Sequence, residues 1–270
     1  MVLRMAVGAL IMTLAILWVP PGMAGDAPLI FAYGDHNEAP FAIVREERLE
    51  GGFLLELGNE LAARLSRTPV YRFVPRNRIQ GELQAGTVDA YCLAAPEFYP
   101  ELPADHFSRP LFQDQDIIVM ARHIQGPPVL DSLRGAQLGT VLGYRYPPAV
   151  EERFRTGELR RVDARNAETN MRKLAGGRLD AIILPRLGWT HALAGEPSLA
   201  SHARSDVITV ATRQRSCLIS PASALAVQDL NDAILSMMSD GRLDMLLATW
   251  GLRAGLAQGG GTRQEARAGR

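Results

Sequence analysis

Four arginines stand where a run of β-type residues gives way to a loop: Arg76 and Arg78 after residues 70–74, Arg145 after 138–142, and Arg186 after 181–184. A guanidinium is a planar, permanent cation whose fork fits two oxygens of a carboxylate. Arg145 has a second advantage, because it precedes Pro147 at the start of a predicted helix, where the backbone dipole favours an anion. The plainer alternative for each arginine is a solvated loop charge or a surface ion pair. The loop acids Asp35, Glu38 and Glu97 offer partners for hydroxyl groups, or counter-charges for the arginines, or they face water. Phe98, Tyr99, Tyr144 and Tyr146 offer ring faces to a cyclic solute, or they pack. Together these residue types suit recognition of a small anionic or polyhydroxy molecule, such as a carboxylate.

Other chemistries lack their signatures. His36, His106, His123, His191 and His202 show no metal-ligand spacing, so neither a metal nor a cofactor is expected. No Gly-x-Ser-x-Gly elbow, phosphate loop or Cys-x-x-Cys pair occurs. The 270 residues carry equal numbers of acids and bases, which removes the usual argument for nucleic acid. Lys173 is the single lysine, a bias that a GC-rich genome explains.

One phrase occurs twice and says which elements position these residues. Leu83-Gln-Ala-Gly86-Thr-Val-Asp89-Ala90-Tyr-Cys-Leu93 returns as Leu174-Ala-Gly-Gly177-Arg-Leu-Asp180-Ala181-Ile-Ile-Leu184. Each copy reads as a helix ending on a glycine that takes positive φ freely, then an Asp-Ala pair and a buried strand. Two copies imply two similar α/β lobes. Around them the sequence predicts strands at 29–33, 70–74, 116–121, 138–142, 159–162 and 216–220. Helices are predicted at 53–65, up to Gln84, from Pro147, and at 167–175, 224–239 and 243–250. The first, with Leu54, Leu57, Leu61 and Leu65, is amphipathic. Residues 1–24 combine Arg4, an apolar stretch and small residues before Gly25, a secretory signal peptide cleaved after Ala24. The Gly-, Arg- and Gln-rich end, 253–270, reads as a disordered tail.

The order of these elements and their wording resemble the periplasmic solute-binding proteins of ABC importers, in the family 3, polar amino-acid branch. The resemblance rests on Ala39-Pro40-Phe41, Gly52-Phe53, Phe107-Ser108-Arg109-Pro110-Leu111 and both copies of the repeated phrase. It rests also on the stretch from Leu230-Asn231-Asp232-Ala233 through Asp240-Gly241 to Trp250-Gly251. It implies a two-lobed α/β protein of the type II periplasmic-binding fold, with two chain crossovers between lobes. Lobe 1 would take 28–115 plus 214–252, and lobe 2 would take 116–213. A small-molecule ligand would sit in the interlobe cleft of a monomer, which would present it to importer membrane subunits in the periplasm. Phe41, Ala94, Ala95, Val141 and Pro185 then join the candidate residues at strand ends facing that cleft. Cys92 and Cys217 would lie on neighbouring strands of lobe 1, where an exported protein can join them as a disulfide; two buried free thiols are the alternative.

The resemblance also marks departures. The family's amino-acid binders hold the ligand carboxylate with an arginine after the first phrase, where this chain has Glu97 to Glu101. They hold the ammonium with an aspartate where this chain has Pro185-Arg186, and use a Ser/Thr turn where it has Tyr144-Arg145-Tyr146. The expectation is therefore an anionic or polyhydroxy small molecule, such as a carboxylate, held mainly by lobe 2, not an ordinary α-amino acid. Two alternatives stand beside transport: a dehydratase-like enzyme using Glu97 or Glu38 as general acid–base, and a ligand-sensing subunit for a separate receptor.

Overall fold

The computed structural model describes residues 28–252; the expected signal peptide and tail lie outside them. In chain order the elements are β1 (Pro28–Tyr33), β2 (Ile43–Arg45), β3 (Arg48–Gly51), α1 (Phe53–Arg64), β4 (Thr68–Phe73) and α2 (Ile79–Gln84). Then come β5 (Ala90–Ala94), β6 (Phe112–Ala121), β7 (Gln137–Val141), α3 (Pro148–Arg155), β8 (Arg160–Ala164) and α4 (Ala167–Ala175). The last are β9 (Ala181–Pro185), α5 (Arg186–Gly195), β10 (Ala203–Ile219), α6 (Val227–Ser239) and α7 (Arg242–Thr249).

Eight strands form one curled sheet in the order β4-β1-β5-β10-β6-β9-β7-β8, and β2 and β3 make a separate hairpin. Parallel triplets occupy the two ends, β4-β1-β5 and β9-β7-β8, while β6 and β10 run antiparallel between them. The apolar core divides in the same way. One large cluster draws only on residues before 113 and after 216, and two smaller ones draw on residues between 117 and 208. Residues 113–116 and 209–216 therefore carry the chain between two packed bodies. This is the expected α/β architecture with two crossovers.

The repeated phrase has one structural meaning in both places. Gly86 and Gly177 have φ of 68° and 64°, so each helix ends on a residue in the left-handed region. A side chain at Gly86 would also meet Ala222 at 2.9 Å, whereas Gly177 has open space and is required for its backbone alone. The aspartate that follows ties neighbouring strands together. The Asp89 carboxylate accepts the Ile30 N–H at 2.8 Å, and the Asp180 carboxylate accepts the Gln137 N–H at 2.7 Å. Each copy thus caps a helix, starts a strand and aligns the strand beside it.

Several elements differ from expectation, among them the unpredicted hairpin β2–β3. The strand expected at 216–220 is the end of the seventeen-residue β10. Its first part mixes polar residues with Val207, Ile208 and Val210 and shows no clean alternation of burial, and pairing with β6, from Ala203↔Ala121 to Arg215↔Phe112, makes it a strand. For the same reason β6 starts four residues early, at Phe112. Helix α5 follows β9 without a turn and was hidden by Gly188 and Gly195, which lower helix propensity. Cys92 and Cys217 are joined by a disulfide across β5 and β10.

Candidate functional site

Beneath the curl of the sheet, side chains from both bodies and from both crossing strands meet. The crossing strands carry charge at alternate positions, so one face receives it all. Asp114 and Asp116 come from β6, Arg213 and Arg215 from β10, and all four are buried. The Arg213 Nε donates to Asp116 Oδ2 at 2.6 Å, and its Nη1 donates to Glu97. Arg215 Nη2 lies 3.4 Å from Asp114 Oδ2 and 3.5 Å from both Asp116 Oδ1 and the Tyr144 hydroxyl. Burial raises the Asp114 carboxyl above its usual range, opposed by Arg215.

Arg76 differs from these two arginines. The ion pairs at this face belong to Arg213 and Arg215, and Arg76 takes part in none of them. Its guanidinium sits 4.9 Å from the Tyr144 ring centre, 5.0 Å from that of Phe98 and 5.6 Å from that of Tyr99. It donates to the Tyr99 hydroxyl at 3.1 Å. Burial pushes the Tyr99 and Tyr144 phenols up, so both remain neutral donors.

The loop after β1 closes the other side. Asn37 donates to the Tyr91 hydroxyl at 2.9 Å, and His36 Nε2 lies 3.5 Å from the same oxygen. Burial and the nearby Arg76 push the His36 ring well down, leaving it neutral. The Glu38 side chain lies against Gly188 of α5, where an added Cβ would meet its Cγ at 2.8 Å. Its Oε1 is sealed from solvent without a hydrogen-bond partner. Burial is the largest influence on this carboxyl, which is pushed up to about 8. Asp35, on the same loop, pairs with Arg165 across the gap between the bodies.

Three hollows border this assembly. His36, Glu38, Phe41, Arg76, Tyr144 and Pro185 are among the residues around an inner cavity of about 30 Å³. A neighbouring cavity of about 20 Å³ adds Val141, Tyr146 and Asp116. Each has room for a water or two and no more. Glu38 also borders an outer groove of about 460 Å³ between the β2 side of one body and helices α4 and α5 of the other.

The expected residues therefore sort into groups. Glu38, Phe41, Arg76, Val141, Tyr144, Tyr146 and Pro185 converge on the inner cavities. Asp35 lies at the rim, and Glu97 sits on a separate hollow holding Arg213. Ala94 and Ala95 are wholly buried in the large core cluster. Arg78 pairs with Glu82 on the surface. Arg145 is exposed beside Glu97, and Arg186 donates to Gln115 and Thr209, so neither reaches the inner cavities. Sequence reasoning missed His36, Asn37, Tyr91, Asp114, Asp116, Arg213 and Arg215. For the last four a signal existed: Asp-x-Asp and Arg-x-Arg place like charges on one face of a strand.

A family model described as bacterial extracellular solute-binding proteins, family 3, matches residues 30–253. No curated protein sequence matches the chain. Among solved structures, it is similar to an ancestral arginine-binding protein bound to arginine, at 19% identity and a TM-score of 0.71, covering 83% of this chain and 97% of that one. It is similar to a substrate-binding protein of an ABC uptake transporter from Streptococcus pneumoniae with bound histidine, at 16% identity and a TM-score of 0.68, covering 83% and 92%. It is also similar to an ancestral amino acid-binding protein described as a precursor of cyclohexadienyl dehydratase, at 18% identity and a TM-score of 0.66, covering 83% and 95%. These likenesses carry the fold. Among the described residues, no helix is long and apolar enough to cross a membrane.

Proposed function

Because the chain belongs to the bacterial extracellular solute-binding proteins of family 3, we propose that it captures a small anionic solute between two lobes. In this reading the lobes are residues 28–115 plus 214–252 and residues 116–213. The protein works as a monomer in the periplasm after losing residues 1–24, and it presents its solute to the membrane subunits of an ABC importer. The observation that carries the anionic preference is Arg76. Among the described residues it is a cation inside the cleft with no ion pair, while Arg213 and Arg215 are already paired. A solute carboxylate placed there receives a guanidinium and the neutral Tyr99 and Tyr144 hydroxyls.

Capture requires the lobes to part, because cavities of about 30 and 20 Å³ cannot admit a solute as they stand. Hinge motion at β6 and β10 separates Arg76 and Glu38 from Tyr144 and Gly188. A second reading is a zwitterionic amino acid, favoured by one observation: Asp116, although paired with Arg213 through Oδ2, borders the neighbouring cavity, where its other oxygen can accept from an ammonium.

A thermal-shift screen of the purified protein with monocarboxylates, sugar acids, amino acids and neutral sugars tests both. Carboxylates raise the melting temperature by mass action, and Arg76→Met abolishes the shift without lowering the unliganded midpoint. Shifts produced only by neutral solutes refute the anionic reading. Shifts confined to amino acids and lost in Asp116→Asn favour the second. Product formed in the same samples identifies an enzyme instead.

A further inference from the structure

Among the described residues, Glu38 is the one acid between the two bodies whose inner oxygen is sealed without a hydrogen-bond partner. Its side chain rests on Gly188, so the water it contacts in a parted cleft is lost only on closure. We infer that Glu38 enters the closed cleft as the neutral acid, so that closure over a solute takes up one proton from solution. This deepens the solute-capture reading and rests on it.

Burial and two nearby acids favour the neutral form of Glu38, against a hydrogen bond from its own backbone N–H and the charge of Arg215. From β6, Asp114 and Asp116 face it and oppose a further negative charge. From β10, Arg215 favours the ionised form, but its guanidinium is already shared by those two aspartates. On its own loop His36 is uncharged, and Arg76 stands across the inner cavity among rings. On the groove side, α4 presents Glu168 already paired with Arg172, and α5 presents His191 and the bare backbone of Gly188. Tyr144 completes the enclosure as a neutral phenol. Glu38 is half-buried, but with its Oε1 sealed and unpartnered the ionised form is disfavoured, whereas the protonated form can donate to an acceptor on the solute.

In this enclosed arrangement the carboxyl is pushed up to about 8, and in a parted cleft, with water restored, it would return to the ordinary glutamate value of 4.5. The sign follows from linkage: the closed form binds the extra proton, so it is favoured at low pH and weakened as pH rises between those two values. Within that window the closed-to-open ratio falls about tenfold per pH unit, or about 100-fold from pH 5.5 to pH 7.5.

The test uses the solute-free protein, so it can fail while the ligand screen succeeds. Spin labels at the exposed Ala63 of α1 and Arg155 of α3 report the interlobe distance between pH 5 and pH 9. The expected result is a short-distance population that grows steeply as pH falls, and that changes at most a few-fold over the same range in Glu38→Gln. An infrared band of a neutral carboxylic acid, present at pH 7 and absent in Glu38→Gln, is the second readout. A distance distribution that does not move with pH in the unmodified protein, open or closed throughout, overturns the inference. A pH response of equal size in Glu38→Gln overturns it as well, assigning the proton to another group such as Asp114.

Discussion

Removing the carboxylate of Asp116 is expected to destabilise the fold by about 3–5 kcal/mol, because it leaves buried guanidinium charge without its counter-ion. Asp116 is 2% exposed and Arg213 is 6% exposed, so water cannot replace the lost partner. The bond at stake is Arg213 Nε to Asp116 Oδ2 at 2.6 Å, with Arg215 a further 3.5 Å contact. Arg213 retains Glu97, whose side chain is about half exposed, which places the loss near the lower end of the range, at about 3 kcal/mol. Asp116→Asn keeps the shape and removes the charge, and Arg213→Met removes the cation. The double change Asp116→Asn with Arg213→Met deletes both charges and is expected to unfold closer to the parent than either single change, since a desolvated ion pair contributes little net stability. Urea unfolding followed by tryptophan fluorescence gives the three values and their coupling. A loss below about 1 kcal/mol for Asp116→Asn, or a double change as costly as the sum of the singles, refutes the buried network as described.

Two further outcomes can be checked with the same purified protein. Replacing Cys92 and Cys217 by alanine opens a link spanning 125 residues, and chain entropy sets the expected loss at about 5 kcal/mol, read as a lower urea midpoint than that of the oxidised parent. An unchanged midpoint would show that the two thiols are not joined. Gly188→Ala improves a helix position by up to about 1 kcal/mol, yet its Cβ would meet Glu38 at 2.8 Å in the closed form. The thermal midpoint without solute should hold or rise while affinity for the solute found in the screen falls about 5- to 150-fold. Affinity unchanged in that variant would mean that Glu38 does not rest on α5 when solute is bound.

What was legible in the sequence was local. The glycine cap, the aspartate and the apolar strand of each repeated phrase sit within a few residues of one another, and their physics needs nothing from elsewhere in the chain. The half of β10 that crosses between bodies was illegible, because its polar residues become a strand only against β6. The four arginines show the limit most clearly. All follow strands, but a strand end fixes where a backbone arrives and not where a long side chain points. Arg76 turns inward among aromatic rings, Arg186 is captured by Gln115 and Thr209, Arg78 by Glu82, and Arg145 faces solvent. The cations that do line the inner face with Arg76 came from Arg213 and Arg215, in a stretch whose pairing the sequence did not reveal.

The Cys92–Cys217 bond also determines how the molecule bears load. Every residue from 93 to 216, including both crossings and the whole of the distal body, lies inside the covalent ring that this bond closes. Tension applied at the two ends of the folded chain runs along the outer segments and through the sulfur bridge. It bypasses the ring, so the distal body and the hinge strands remain slack. If capture works by the hinge motion proposed above, the strands that bend are mechanically isolated from whatever pulls on the termini.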